Sequence, residues 1–307
     1  MLTIFTTAKP FVGHVGVIQR NALKSWTLLH SDVEVILFGE EEGVADVCAE
    51  LGLVHHRQVD RHESGMKCLN YMFDRAQTMG RHKYLCYANC DMLLMSDFYN
   101  AFKKALTWRK TFLLIGQRRD TDIILPVPFD ESDWARRVRE MALTHGVLRS
   151  PRQVDFFLFP KGLYDKVPSF VVGRDFWDHW LVWKALNKGA RVLDASGFVI
   201  AVHQNHGYGY HPLGRRGVHE DVLTKRNVEL AGNGKHLRFT IHATHRLDGR
   251  ARIQSGLFRT ISWNAKIGME GIIHATYPLR RLLGLQRKAW LGRVLRAPFR
   301  ESNVKVS

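Results

Sequence analysis

Short apolar runs alternate with longer stretches of helical spacing along the first third of the chain. Leu2 to Thr6 (LTIFT), Val33 to Phe38 (VEVILF) and Tyr84 to Ala88 (YLCYA) read as strands, and Val54 to His56 as a short fourth. Between them, Val17 to Leu29, Glu41 to Leu51 and about Ser64 to Met79 carry the helical period. Strands alternating with helices of this length predict a mostly parallel sheet flanked by helices. Further on, Phe112 to Gly116, Val154 to Phe159, Arg191 to Asp194 and Phe198 to His203 read as strands. Asp133 to Thr144 and the Trp-rich segment Asp175 to Leu186 read as helices.

After His211 the periodicity weakens into Gly- and Arg-rich sequence, which places a boundary near residues 212–240. The expected division is a catalytic α/β domain over 1–215 and a basic, partly helical extension over 216–307. Charge sharpens this picture. From His211 to Ser307 there are 19 Lys and Arg against 6 Asp and Glu, whereas the first 210 residues hold 26 against 23. The net charge of +16 therefore resides mainly in the last third. On a helical projection of 279–296, Leu279, Leu282, Leu283, Trp290 and Val294 share one arc, interrupted by Gln286 and Arg293, with Arg280, Arg281, Lys288 and Arg296 outside it. Such a helix either lies on an anionic membrane or packs its apolar stripe on the protein body.

The opening MLTIFTTAKPF has no basic leader and too short an apolar stretch for a signal peptide. No window approaches the ~18 apolar residues of a membrane span. Cys48, Cys68, Cys86 and Cys90 lack zinc-site spacing and sit in apolar contexts, as buried reduced thiols do. The expected location is cytoplasmic, with peripheral attachment to the inner face of the plasma membrane through the basic extension.

Five segments carry candidate chemistry. Asn89-Cys90-Asp91 ends the third strand, where open α/β sheets gather ligands. Asp91 there suits a hard cation beside a diphosphate, or the triplet caps a turn. His203-Gln-Asn-His206, followed by Gly207, Tyr208, Gly209, Tyr210 and His211, makes a polar loop in which His203 and His206 are candidate metal ligands. In Gly173-Arg174-Asp175-Phe176-Trp177-Asp178-His179-Trp180, Asp175 looks like a helix N-cap with Asp178 in the first turn. Asp178 is also a candidate base, and Trp177 and Trp180 candidate platforms for a sugar ring. Asp155, in the apolar run VDFFLF, either serves the reaction or pairs with Arg174 or Arg118. Finally, the loop Thr6, Thr7 and Lys9, the strand end Phe38-Gly39, and Gly65 with Lys67 at the start of the next helix are candidate donor contacts. No Walker or dinucleotide glycine pattern is present, which speaks against an NTPase or a dehydrogenase.

Together these segments resemble bacterial GT-A glycosyltransferases of the surface-polysaccharide group. The resemblance rests on the TTAKPF opening, the Phe38-Gly39 strand end, YANCDM at Tyr87 to Met92 and DFFLF at Asp155 to Phe159. It continues through VGRDFWDHW at Val172 to Trp180, the turn Val192 to Ser196 and HQNHGY at His203 to Tyr208. It covers roughly residues 1–215. It implies a GT-A-like (Rossmann-like) α/β fold, a nucleotide-diphosphate sugar donor and a glycan or glycolipid acceptor. It also implies a divalent metal, Mn or Mg, at a DxD-type triplet. Here the first position of that triplet is Asn89, so the metal is expected on Asp91 with His203 or His206. Asn89 then contacts donor, and Asp178, with Asp155, carries catalysis. Two rivals remain: a nucleotidyltransferase, for which no Gly-rich loop with a signature lysine is found, and a basic nucleic-acid-binding protein. No specific nucleic-acid partner is expected, because the charge avoids the motif-bearing segments.

Overall fold

The computed structural model describes residues 1–207 and 214–255, without the side chains of 214–216. The chain divides into two compact units, Met1–Gly256 and Leu257–Ser307, and the first is described here. The expected helix over 279–296, and Tyr208, Tyr210 and His211 of the polar loop, lie outside the described residues.

In chain order the elements are β1 (Leu2–Thr7), α1 (Gly13–Thr27), β2 (Val33–Phe38), α2 (Val44–Leu51), β3 (Val54–His56) and α3 (Leu69–Met79). Then follow β4 (Tyr84–Ala88), β5 (Met92–Leu93), α4 (Ser96–Trp108), β6 (Phe112–Ile115), β7 (Arg118–Thr121), α5 (Trp134–Thr144), β8 (Val147–Leu148) and β9 (Phe156–Pro160). The last are α6 (Trp177–Asn187), β10 (Arg191–Asp194), β11 (Ala201–Gln204), α7 (Gly214–Glu220), α8 (Val222–Leu230), a 3-10 turn (Thr240–His242), β12 (His245–Leu247) and β13 (Ile253–Ser255).

Nine strands form the main sheet in the order β13-β12-β10-β6-β9-β4-β1-β2-β3. Parallel pairings join β3, β2, β1 and β4 on one side and β6, β10 and β12 on the other. Between these halves β9 runs antiparallel to both β4 and β6. The sheet is thus mostly parallel and covered by helices, with an inserted reversed strand that apolar patterning alone does not orient. A smaller sheet, β5-β11-β7-β8, stands apart, with β11 parallel to β7.

Apolar clusters cover both faces of the main sheet. One gathers Leu23, Trp26, Phe98, Phe102 and Phe112 under α1 and α4. The other gathers Phe5, Phe73, Phe157, Phe159 and Leu181 under α3 and α6. Trp26 is fully buried and still satisfies its indole N–H, donating to the Met92 carbonyl at 2.8 Å. All four cysteines are free and buried.

The first unit continues beyond the boundary expected near 215. β12 joins β10 in the main sheet, and Asn227 of α8 bonds to the backbone of Val171 and Asp175, so segments well past residue 215 pack on the same sheet. Helix starts also move, most at α1 and α3. α1 begins at Gly13 rather than Val17, because Gly16 is placed by a close approach: a Cβ there would lie 2.6 Å from the Phe11 carbonyl carbon. α3 begins at Leu69 rather than Ser64. Residues 61–67 instead form a turn closed by an Arg61–Lys67 bridge, with Gly65 at φ 80. Lys67 therefore does not open a helix.

Candidate active site

The carboxyl ends of β1 and β4, the start of α6 and the end of β11 surround one cavity of about 520 Å³. Parallel strands direct their following loops to the same edge, which is why Lys9 after β1 and Asp91 after β4 meet there. Of the residues expected from the sequence, Thr7, Lys9, Lys67, Asn89, Asp91, Asp155, Trp177, Asp178, His203 and His206 line this cavity. Thr6, Phe38, Gly39 and Trp180 do not.

Asp91, His203 and His206 converge. Their ligand atoms all lie within 4.8 Å of one another. His206 Nε2 is 3.2 Å and His203 Nε2 3.6 Å from Asp91 Oδ2. The other carboxylate oxygen, Asp91 Oδ1, is buried with no hydrogen-bond partner among the described residues. A buried acceptor without a donor is costly, and a cation shared with two imidazoles removes that cost. The donor set, one carboxylate and two imidazoles, suits a divalent first-row transition ion such as Mn. Burial opposes ionisation of Asp91, yet His203 and His206 hold its carboxyl far below the ordinary carboxylate range. For His203, burial works against the charged form. Asp91 and Asp120 outweigh it and raise the imidazole above its usual value.

Asn89 does not join that set. Its Nδ2 donates to Asp155 Oδ1 at 2.6 Å, and its backbone N–H donates to the Asp155 carbonyl at 2.9 Å. Arg118 Nη1 donates to Asp155 Oδ2 at 2.8 Å. Both Asp155 oxygens are therefore committed. Asp155 thereby ties β9 to β4 and β7 at the cavity wall. Arg118, one of the two arginines expected as its partner, makes the pair. The other, Arg174, binds Asp221 through two nitrogens at 2.5 and 2.7 Å.

Asp178 is different. Its Oδ1 is buried without a hydrogen-bond partner among the described residues, while Oδ2 lies 3.4 Å from His179 Nε2. That ring nitrogen also meets the Arg152 carbonyl at 2.9 Å. Burial, reinforced by Asp155 and Asp175 against the opposing effect of His179, raises the Asp178 carboxyl above its ordinary value. Asp175 is not the N-cap. Phe176 holds that position with φ 83, a left-handed conformation unusual for an aromatic residue, and Asp175 pairs with His219. The strained residue directly precedes the turn that aims Asp178 into the cavity.

The two tryptophans differ in placement. Trp180 is core, 5.5 Å from Phe170 by ring centroid and absent from the cavity wall. Trp177 reaches the wall but is only 5% exposed, packed edge-on against Tyr87 at 5.3 Å. The large apolar area of an indole favours the core over a stacking surface here. Among the donor candidates, Thr6 and Phe38 are fully buried. Thr7, on the opposite pleat, lines the cavity and donates to the Phe38 carbonyl at 2.9 Å. Gly39 acts indirectly: with φ 109 and no side chain, it leaves room for Lys67 Nζ, which a Cβ would meet at 3.0 Å. That ammonium donates to the Ala8 carbonyl at 2.5 Å and pairs with Glu41 at 2.6 Å. Burial lowers the Lys67 pKa despite Glu41. Its charge is already balanced, so it braces the loop after β1 rather than presenting a bare cation. Gln19 fixes the same loop, accepting from the Lys9 N–H and donating to the Lys9 carbonyl.

Glu41, Arg118 and Asp120 are site residues that the sequence reading did not single out as functional. Glu41 sits in the polar run Gly39 to Gly43 and Arg118 and Asp120 in the polar run Gln117 to Asp122, where charge carries no specific signal without the partner strands.

No protein-family model and no curated protein matches this chain. Among solved structures it is similar to S. aureus TarS 1-349, at a TM-score of 0.47 and 9% identity over 66% of this chain and 60% of that one. It is similar to the mannosyltransferase PcManGT from Pyrobaculum calidifontis, in complex with GDP-Man and Mn2+, at 0.46 and 14% identity over 69% and 59% of the two chains. A third similar structure is glucosyl-3-phosphoglycerate synthase from Mycobacterium tuberculosis, in complex with Mn2+, UDP and phosphoglyceric acid. It matches at 0.47 and 11% identity over 76% and 78%. The chain thus spans about six tenths of the first two.

Proposed function

We propose that this chain is a metal-dependent glycosyltransferase of the GT-A type, moving a sugar from a nucleoside-diphosphate donor to an acceptor hydroxyl. The observation that carries the reading is one cavity whose wall holds two unsatisfied carboxylate oxygens of opposite character. Asp91 Oδ1 stands beside two imidazoles, and Asp178 Oδ1 stands in a desolvated pocket.

When bound at Asp91, His203 and His206, a divalent cation supplies charge neutralisation for the departing diphosphate. Thr7 and the Lys9 loop, fixed by Gln19, Lys67 and Glu41, form the donor end of the cavity. Asp178 accepts the proton of the acceptor hydroxyl at its open oxygen, and its raised pKa makes it a better base than an ordinary carboxylate. The hydroxyl oxygen bonds to the anomeric carbon as the bond to the diphosphate breaks. A single displacement of this kind inverts the anomeric configuration. Holding the two reactants in line is worth on the order of 7–11 kcal/mol of barrier.

The acceptor in this reading is a glycan or glycolipid hydroxyl, in cell-surface polysaccharide or glycolipid synthesis. The basic segment beyond Gly256 supports a site of action at an anionic membrane surface. Calorimetric titration with UDP-, GDP-, dTDP- and CMP-sugars, with and without Mn2+, tests the core of the proposal. One donor class should bind, and more tightly with Mn2+. Failure of every donor to bind in either condition would sink it.

A further inference from the structure

We infer that Asp120 is a positioning residue that fixes the tautomer and direction of His203, so that its Nε2 lone pair faces Asp91. The inference rests on the reading that Asp91, His203 and His206 hold a cation, and adds a residue outside that set.

The starting point is strand register. β7 and β11 are parallel neighbours, and His203 is paired with Asp120. Side chains alternate between faces with a period of two, so Arg118 and Asp120 share the face of β7 next to His203, while Arg119 points away. A one-residue slip would remove both at once. The smaller sheet therefore fixes the pair before any side-chain interaction is counted.

The contacts follow from that placement. His203 Nδ1 lies 3.2 Å from Asp120 Oδ1, on the opposite edge of the ring from the Nε2 that faces Asp91 at 3.6 Å. Both Nδ1 and Oδ1 are buried, and neither makes a hydrogen bond of ordinary geometry among the described residues. At 3.2 Å a small turn of the imidazole lets each satisfy the other. Asp120 is itself anchored: Arg118 Nε is 2.8 Å from Oδ1 and Arg149 Nε is 3.2 Å from Oδ2. Arg118 in turn reaches Asp155 at 2.8 Å, and Asp155 receives Asn89 at 2.6 Å. A continuous line of charge thus joins β4, β9, β7 and β11 around the cation site.

Both ring nitrogens face an acceptor-only carboxylate, Asp120 at 3.2 Å from Nδ1 and Asp91 at 3.6 Å from Nε2. In the neutral ring the nearer one holds the proton on Nδ1, which leaves the Nε2 lone pair for a cation shared with Asp91. An amide cannot impose this. In Asp120→Asn one of the two carboxylate positions becomes an NH2 group, and two arginines compete for the single remaining oxygen. When the NH2 faces His203 it calls for a lone pair on Nδ1 and drives the proton to Nε2, where it blocks ligation.

The test uses the full-length protein with Mn2+ as probe, at a pH high enough that His203, raised above the usual imidazole value, is neutral. Ring-nitrogen NMR of the metal-free protein, with His203 assigned by its loss in His203→Gln, should show Nδ1–H in the wild type. In Asp120→Asn the proton should shift to Nε2. Mn2+ affinity measured by calorimetry should fall about 10- to 100-fold in Asp120→Asn. Arg149→Gln leaves Oδ1 in place and should keep affinity near the wild-type value. Wild-type His203 carrying its proton on Nε2 would overturn the inference. So would an Asp120→Asn protein with wild-type Mn2+ affinity, or an affinity loss in Arg149→Gln as large as in Asp120→Asn. Lack of Mn2+ binding by the wild type would instead refute the cation reading. The tautomer measurement would still decide the hold of Asp120 on His203, and it needs no variant at position 120 to fold.

Discussion

At the scale of single residues, the cavity separates carboxylates by what surrounds them. Asp155 faces an amide and a guanidinium and is spent on structure; Asp178 faces burial and one imidazole and keeps an oxygen open. Asp178→Asn keeps the shape and removes the basicity. Turnover should fall by about 10² to 10⁴, with donor affinity by calorimetry unchanged. The sign of the pH dependence follows from the shift. A raised folded pKa means Asp178 holds its proton to higher pH than an ordinary carboxylate. Activity should climb with pH through that raised value, and the acid limb should be absent from any residual activity of the Asn variant. The same burial makes the charged form costly. The stability contributed by the protonated group is therefore present at low pH and lost as pH rises through the folded pKa. At neutral pH the Asn variant should unfold at a temperature no lower than the wild type. A large drop would mean that Asp178 is a structural anchor, and the assigned base would have to be abandoned.

At the scale of elements, α1 shows how closely the donor loop is tied to the helix behind it. In Gly16→Ala, helix propensity alone favours alanine by up to about 1 kcal/mol. A Cβ at that position would lie 2.6 and 2.7 Å from the carbonyl carbon and oxygen of Phe11, whose N–H is bonded to Glu42. Backbone held at both ends cannot give way as a side-chain tip does. Overpacking of about 1–3 kcal/mol should therefore win. Urea unfolding should show net destabilisation, and donor affinity should weaken because the Lys9–Phe11 loop moves. A more stable variant would show the loop to be freer than its contacts imply. This glycine also marks where sequence reading stops. Uniform apolar runs such as Val33 to Phe38 and Tyr84 to Ala88 specify their strands without help, since buried parallel strands need nothing else. Gly16 reads as a loop signal because its real constraint, a neighbouring backbone, is not local. β7, with the sequence RRDT, carries no apolar signal at all. Its charges are satisfied by Asp155, His203 and Arg149, from strands and loops distant in the chain. Trp177 and Trp180 share a helical spacing that points both toward the sheet, and only packing distinguishes the indole at the cavity wall from the one in the core. The Asp91, His203 and His206 set was legible because histidines clustered in a polar loop have few structural uses.

At the scale of the whole molecule, net positive charge is densest at the C-terminal end of the sequence. Within the cavity wall the buried cations are balanced in place, Lys67 by Glu41, Arg118 by Asp155 and Asp120, Arg174 by Asp221. Half of the net charge of +16 lies in the short stretch beyond Gly256, where 10 Lys and Arg stand against 2 Asp and Glu. A segment of that composition gains about 1 kcal/mol per basic residue at an anionic lipid surface. This gain should be steeply salt-dependent, since the screening length shrinks from about 10 Å at 0.1 M salt to about 3 Å at 1 M. Full-length protein should therefore sediment with phosphatidylserine-containing vesicles at low salt and leave them at high salt. A chain ended at Gly256 retains the described core and every residue of the candidate site. It should keep its unfolding temperature and its donor affinity while losing the vesicles. Turnover on a soluble acceptor should then be spared, and turnover on the same acceptor group carried by a lipid in those vesicles should fall. Vesicle binding that survives the truncation would move the membrane contact onto the first 256 residues. Loss of donor binding together with vesicle binding would mean instead that the basic segment completes the cavity.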